Sequence, residues 1–229
     1  MEEALAAGIP VRGALVSADL ARTARGVALR ADLGRHAVPV EDIPERTFAK
    51  LADTDSPQGI LAVIEPPAHA ADALRVSKGS AILVIDGVQD PGNVGTLIRT
   101  AHALGASGTI ALRGTADVNS PKALRAAMGA SFRHPIVSLD DNGFIAWVKQ
   151  HGVTLWASAS DGEPLSRALK RNGAGGGIAV IVGNEGAGIR PHLNALSTQR
   201  VAIPLAQGAE SLNVAVAAGI LLWEVLRGR

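Results

Sequence analysis

The spacing of apolar positions changes along this chain, and each change marks an element. Val11 to Val16 reads as a strand, with Arg12 and Gly13 inside it. Ala18 to Leu33 carries helical spacing, with Asp19 near its start and Gly34 past its end. Val38-Pro39-Val40 is a short extended piece. Ile43 to Ala52 is helical, with Pro44 at a first-turn position. Gly59 to Ile64 is a strong strand. The chain opens inside a helix, Glu2 to Ala7, so an element before it is expected. Glu65-Pro66-Pro67 and the small residues after it break the pattern and read as a linker. A domain boundary is expected near residue 67.

Beyond it, strands alternate with helices. Ala81 to Ile85 is a continuous apolar strand, the pattern of a strand covered on both faces. Helices are expected over Val94–Leu104, ended by Gly105, over Pro121–Met128, over Asn142–Gln150 and over Ser211–Leu226. Strands are expected at Thr109–Leu112, Pro135–Leu139, Val153–Ala157, Ile178–Val182 and Val201–Ile203. Residues 173–177 read as a small glycine-rich loop. This alternation predicts an α/β fold with a mostly parallel sheet. Ligands of such sheets bind outside the carboxyl ends of the strands.

Of 229 residues, 47% are hydrophobic but only 3% aromatic. Aliphatic mass of this kind suits helices packed on a buried sheet. Cysteine is absent, which excludes disulfides, thiolate metal sites and cysteine nucleophiles. No long uncharged apolar run suggests a membrane span, and the acidic opening Met1-Glu2-Glu3 lacks a signal-peptide pattern. A soluble cytoplasmic protein without a metal is expected. Net charge is only +1, but residues 1–66 balance at −3 and residues 67–229 at +4. A polyanion site therefore belongs to the second part.

Three segments carry candidate chemistry. The first runs from Asp86 to Arg99, where a buried strand ends in a Pro/Gly turn and Asn93 is placed to cap a helix. Arg99 projects from the polar side of that helix. The second is Gly183-Asn184-Glu185-Gly186-Ala187-Gly188, whose glycines let backbone approach a ligand. No Gly-Lys-Ser/Thr follows, and the dinucleotide fingerprint is missing. The third is Ile203-Pro204-Leu205 and then Ser211-Leu212-Asn213, with Ser211 expected as the cap of the last helix. Leu212, Val216, Gly219 and Trp223 form that helix's apolar stripe. Taken singly, each segment reads equally well as a structural turn. All three follow strands, which gathers Asn93, Arg99, Glu185, Ser211 and Asn213 at one end of the sheet. Neither a hydrolase triad nor clustered metal ligands accompany them; His102, His134 and His151 read as ordinary polar positions.

In this order, the three segments resemble the motifs of the SpoU family within the SPOUT methyltransferases. Asn93 with Arg99 fits the first motif, Asn184 to Gly188 the second, and Ser211 to Val214 the third. Ser120-Pro121-Lys122-Ala123-Leu124-Arg125 and Met128-Gly129-Ala130 are similar to the family's middle segment, although Ala127 stands where serine is more usual. The resemblance implies a substrate (RNA)-binding domain at 1–66 similar to ribosomal protein L30e, a linker at 67–79, and a methyltransferase domain with a deep trefoil knot at 80–229. It implies a homodimer, and S-adenosylmethionine held at Gly183, Asn184, Gly188, Ile203 and Leu212, with Ala157 and Ser158 nearby. S-adenosylhomocysteine is the product.

The implied reaction methylates a ribose 2′-hydroxyl of RNA, with Asn93, Arg99, Glu185, Ser211 and Asn213 as its catalytic set. A guanidinium is effectively always protonated, so Arg99 is read as gripping the neighbouring phosphate and easing alkoxide formation. Arg113, Lys122, Arg125, Arg133 and Arg190 are candidate phosphate contacts. Ribosomal RNA is the first expectation and transfer RNA the second. A catalytically silent RNA-binding protein of the same fold is the alternative, and a nucleotide-binding dehydrogenase is a more distant one.

Overall fold

The computed structural model describes residues 1–54, 56–171 and 176–227; most of the expected loop at 173–177 lies outside them. The chain divides into two compact units, Met1–Pro67 and Ala68–Arg229.

The first unit runs α1 (Glu2–Ala6), β1 (Val11–Val16), α2 (Ala24–Arg35), β2 (Val40–Asp42), α3 (Glu45–Leu51) and β3 (Ile60–Ile64). Strand β1 is central, parallel to β2 and antiparallel to β3. Leu5, Val16, Leu20, Leu29 and Leu33 pack as its core. The helix expected from Ala18 is interrupted. A 3-10 turn, Ala18–Arg22, precedes α2, and Thr23 Oγ1 caps α2 by accepting from the Gly26 N–H at 3.0 Å. A Cβ on Gly26 would lie 1.7 Å from the Leu20 carbonyl oxygen, so only glycine lets the turn fold back this closely.

The second unit runs β4 (Ala81–Asp86), α4 (Pro91–Ala103), β5 (Gly108–Leu112), α5 (Pro121–Ala127), β6 (Ile136–Leu139), α6 (Asp141–His151), β7 (Thr154–Pro164), α7 (Leu165–Arg171), β8 (Ile178–Gly183), α8 (Pro191–Leu196), β9 (Gln199–Ala202) and α9 (Val214–Leu226). Its six strands are all parallel, in the order β6-β5-β4-β8-β7-β9. Strand β4 shows why the central strands read as unbroken apolar runs. Ala81, Leu83 and Ile85 join Leu97 and Ile98 of α4 and Leu222 of α9 in one cluster. Ile82 and Val84 face the other way, towards Phe144 and Trp147 of α6 and Leu193 of α8. Alternate side chains thus enter opposite layers, and both layers are apolar.

Several boundaries differ from the sequence reading, each for a local reason. Residues 68–79 are more than a tether: a 3-10 turn at Ala71–Ala73 leads to Leu74, which is buried in the α6 layer. Helices α7 and α8, of seven and six residues, were not expected from the pattern. Strand β7 continues well past Ala157, with its pairing to β9 interrupted between Ser158 and Glu163. The polar run Ser158 to Glu163 hides a strand that makes an outward excursion and then resumes pairing.

After the edge strand β9 the chain returns to the sheet centre, where α9 packs on α4, β4 and β8. A C-terminal knot requires this return.

Candidate active site

The neighbours β4 and β8 end side by side, with Asp86 paired to Gly183. The first and second motif loops leave from these two residues and are bound to each other. Asn184 Nδ2 donates to the Gly87 carbonyl at 2.9 Å. Its Oδ1 accepts from the Gly186 and Ala187 amides at 2.9 and 2.8 Å, which closes the second loop on itself. The amide and carbonyl of Asn184 also exchange hydrogen bonds with those of Gly188. A Cβ on Gly183 would come within 2.3 Å of the Gly188 carbonyl carbon, so the base of this loop has room for glycine alone. The turn after β5 braces the first loop, because Thr115 Oγ1 accepts from the Gly87 amide at 3.1 Å and donates to the Ile85 carbonyl at 3.0 Å.

The cap of α4 is Asp90, not Asn93. Asp90 Oδ1 accepts from the Gly92 amide at 3.1 Å, and Pro91 occupies the first helical position. Asn93 therefore lies in the first turn, and its side chain is directed across the motifs. Its Nδ2 donates to Glu185 Oε1 at 2.9 Å, and its Oδ1 accepts from Asn213 Nδ2 at 3.0 Å. One residue from each motif thus joins a single chain, Asn213 to Asn93 to Glu185. Asn213 rather than Ser211 caps α9, through its Oδ1 and the Ala215 amide at 2.9 Å. Asn93 and Asn213 both have partners that only the fold supplies, and Asn213 keeps its bond to Asn93 while capping α9.

Glu185 feels two opposed influences. Burial raises its carboxyl, but hydrogen bonds from Asn93 and from the backbone amides of Glu185, Gln89 and Asp90 outweigh it and hold it below its ordinary value. Glu185 is therefore a fixed carboxylate at neutral pH.

Beside this chain lies a cavity of about 640 Å³. It is lined by Gly183, Asn184, Glu185 and Gly188, by Ile203, and by Ser211, Leu212 and Asn213. Ser158 to Asp161 and Arg200 also line it, as does Leu205, none of which but Ser158 was expected. Gly162 in the β7 excursion was the available signal: its Cβ would lie 2.7 Å from the Val201 carbonyl carbon, marking a close backbone approach. Ala157 is a correction. It is fully buried, its backbone is paired with β8 and β9, and it faces the α6 layer rather than the cavity. Ser158, one step along the strand, takes the wall position.

Arg99 is exposed on α4, and it makes no hydrogen bond or ion pair among the described residues. Arg113 is exposed on the turn that braces the first loop. Arg125 and Arg133 are exposed on and after α5, with Arg133 Nη1 donating to the Gly129 carbonyl at 3.3 Å. Lys122 Nζ binds Asp90 Oδ1 at 2.6 Å, and this ion pair, aided by the Gly92 amide, holds the Asp90 carboxyl below its ordinary value. Arg190 corrects the expected phosphate set. Its Nε donates to Asp86 Oδ1 at 2.7 Å, its Nη1 and Nη2 to Asp141 at 2.9 and 2.8 Å, and its amide to Asp86 Oδ2 at 2.8 Å. With Asp86 fully buried, this guanidinium serves the fold. A charged residue closing an apolar strand was the sequence signal for it.

The cavity suits an adenosyl cofactor. Its volume is that of a small-molecule site. Ile203, Leu205 and Leu212 offer aliphatic surface for a purine, and Gly188 leaves backbone exposed with nothing within 4 Å of its Cβ position. Among the described residues, no group of three His, Cys, Asp or Glu side chains is arranged to hold a metal.

The profile of the SpoU rRNA Methylase family matches residues 80–223, and that of the RNA 2′-O ribose methyltransferase substrate-binding family matches residues 1–70. The chain belongs to the SpoU family. It is 38% identical over 187 residues to the 23S rRNA (guanosine(2553)-2′-O)-methyltransferase RlmP of Bacillus subtilis, covering 81% of this chain and 71% of that protein. It is 30% identical over 203 residues to the 23S rRNA (guanosine-2′-O-)-methyltransferase RlmB of Pasteurella multocida, covering 86% and 82%. Among solved structures, the SpoU methyltransferase AviRb of Streptomyces viridochromogenes in complex with AdoMet superposes with a TM-score of 0.83 at 28% identity. That match covers 99% of this chain and 86% of AviRb. This SpoU chain is accordingly a methyltransferase that uses S-adenosylmethionine.

Proposed function

We propose that this chain methylates a ribose 2′-hydroxyl of ribosomal RNA. The observation that carries the reading is the Asn213–Asn93–Glu185 chain, which ties all three motifs together beside an adenosyl-sized cavity. Ribosomal RNA is preferred to transfer RNA because RlmP and RlmB, named for 23S rRNA, align over most of this chain. Residues 1–66 act as the substrate-binding domain, and we assign the work to the cytoplasm, where ribosomal RNA is found. Among the described residues, no helix is long and apolar enough to cross a membrane.

S-adenosylmethionine supplies the electrophilic methyl group. Gly183, Asn184, Gly188, Ile203 and Leu212 hold its adenosyl part, and Ser158 borders it. Arg99 binds the phosphate beside the target ribose through its fork of donors. Its positive charge lowers the cost of an alkoxide at the 2′-oxygen. A phosphate oxygen or a water takes the proton, because Arg99 itself stays protonated. Asn93, Glu185, Ser211 and Asn213 set the position of the ribose. Asn93 has one N–H and one lone pair left after its two side-chain bonds, so it can still meet a hydroxyl. Arg113, Lys122, Arg125 and Arg133 contribute phosphate contacts.

We further propose a homodimer. Leu212, Val216, Ile220 and Trp223 are 38%, 51%, 37% and 55% exposed along one face of the last helix and its lead-in, an apolar surface that a second copy would cover.

The reading is tested by incubating the protein with methyl-labelled cofactor and separated RNA fractions, then mapping the modified nucleotide. Label at a 2′-oxygen of ribosomal RNA is the expected result, and label on a base or in transfer RNA alone would overturn it. Arg99→Ala is expected to nearly abolish turnover and leave cofactor affinity almost intact in calorimetry. Equal loss of both would remove Arg99 from the RNA side.

A further inference from the structure

Arg200 of β9 and Asp161 of the β7 excursion form an ion pair, and both residues line the cavity. The excursion is held in place on its far flank, where Gln199 Nε2 donates to Glu163 Oε2 at 2.7 Å. At Gly162 it lies so close to Val201 that no Cβ fits. Asp161 is thus presented by a restrained piece of backbone. Ser158 and Ser160 line the cavity with it, whereas Ile203, Leu205 and Leu212 supply aliphatic lining. The cavity therefore combines apolar surface with one guanidinium, Arg200, and three carboxylates, Asp161, Glu185 and Glu210, of which Asp161 is the one ion-paired to Arg200.

An adenosyl sulfonium cofactor has a matching make-up. Its purine is flat and largely apolar, and its amino-acid end carries a carboxylate and an ammonium. We propose that Arg200 and Asp161 are the subsite for this zwitterionic end, with Arg200 taking the α-carboxylate and Asp161 the α-ammonium. Their side chains are 49% and 68% exposed, so the existing pair is weak and opens at little cost. A guanidinium and a carboxylate form a stronger, two-pronged contact inside a walled site than at an open surface. Each protein charge has an opposite partner both before and after binding, so the empty site leaves no charge uncompensated. The assignment rests on the S-adenosylmethionine reading above.

Calorimetry with three ligands separates the two roles. S-adenosylhomocysteine has both charges, decarboxylated S-adenosylmethionine has the ammonium but no carboxylate, and 5′-methylthioadenosine has neither. Arg200→Gln is expected to weaken S-adenosylhomocysteine about tenfold while decarboxylated S-adenosylmethionine and 5′-methylthioadenosine bind as to the unmodified protein. Asp161→Asn is expected to weaken both ammonium-bearing ligands about tenfold and to leave 5′-methylthioadenosine unchanged. Undiminished 5′-methylthioadenosine binding also shows that each variant is folded. Parallel loss of all three ligands, or no loss of any, would overturn the subsite and leave the pair a clamp between strands. An unmodified protein that binds none of the three would instead overturn the cofactor reading itself.

Discussion

Asp86 has no contact with solvent, and both of its carboxylate oxygens bind Arg190. Removing one member of such a pair strands the other, which is costlier than the pair is stabilising. Arg190→Ala, which leaves fully buried Asp86 without its ion-pair partner, is expected to lower the unfolding free energy by about 3 kcal/mol in urea titration. A loss below about 1 kcal/mol would mean that solvent reaches Asp86 easily once Arg190 is gone. His134 is a second buried polar group, 2% exposed, with Nε2 at 2.9 Å from Thr109 Oγ1. Burial, with His102 and His69 adding to it, lowers its value to about 4. The folded protein then resists a proton that the unfolded chain accepts near pH 6.5. Stability from this group is complete above that pH and is lost as pH falls towards about 4. The loss is about 3 kcal/mol. His134→Gln is expected to flatten the stability profile between pH 6.5 and 4, and an unchanged slope would refute the assignment. Neither residue announces its role in sequence. Asp86 reads as the first residue of a turn, and its partner lies 104 positions away.

The strands were the most legible elements, because β4 and β8 are apolar on both faces and are bounded by turn residues. Caps were less legible. Asp90 and Asn93 lie three residues apart and either can cap a helix; Pro91, which suits the first helical position, favours Asp90. Strand β7 was the least legible, since Ser158 to Glu163 has the composition of a loop. The loop of the second motif depends on packing at Gly183. Gly183→Ala forces the loop base away from Gly188 and Ile189, at a cost of about 1–3 kcal/mol. Its expected signature is a loss of cofactor affinity of about tenfold or more by calorimetry. Gly34→Ala, where nothing lies within 4 Å, is the matched control and should leave affinity unchanged. Equal affinities for the two variants would show that the loop base does not shape the cavity.

Over the whole molecule, α9 shows how a face is chosen. Its apolar residues surround the helix, so periodicity alone admits more than one inward stripe. The sequence reading placed Leu212, Val216, Gly219 and Trp223 on one apolar stripe. In the structure Ala215, Ala218, Leu221, Leu222 and Val225 face the core, and Val216 and Trp223 are exposed. Gly219 alone of the expected stripe makes a close approach, its Cβ position lying 3.3 Å from Thr100 Cγ2 of α4. Gly219 allows α9 to sit tightly against α4, while Val216, Ile220 and Trp223 are left outside. Trp223→Glu is expected to convert a dimer to a monomer in light scattering at micromolar concentration while the fold, by circular dichroism, is retained. An unaltered dimer would place the interface elsewhere.

By itself, the sequence determined the α/β alternation, the position of three polar segments after strands, and their family. These depend on local period and on contiguous motifs, which a single chain displays directly. Tertiary structure alone decided that Asn213, Asn93 and Glu185 join hands across 120 and 92 positions, that Arg190 turns inward, and that Asp161 meets Arg200 at the cavity. Hydrogen bonds and ion pairs of this kind act over about 3 Å. Which partners come that close depends on how the strands are ordered in the sheet, and strand order is not a local property of the chain.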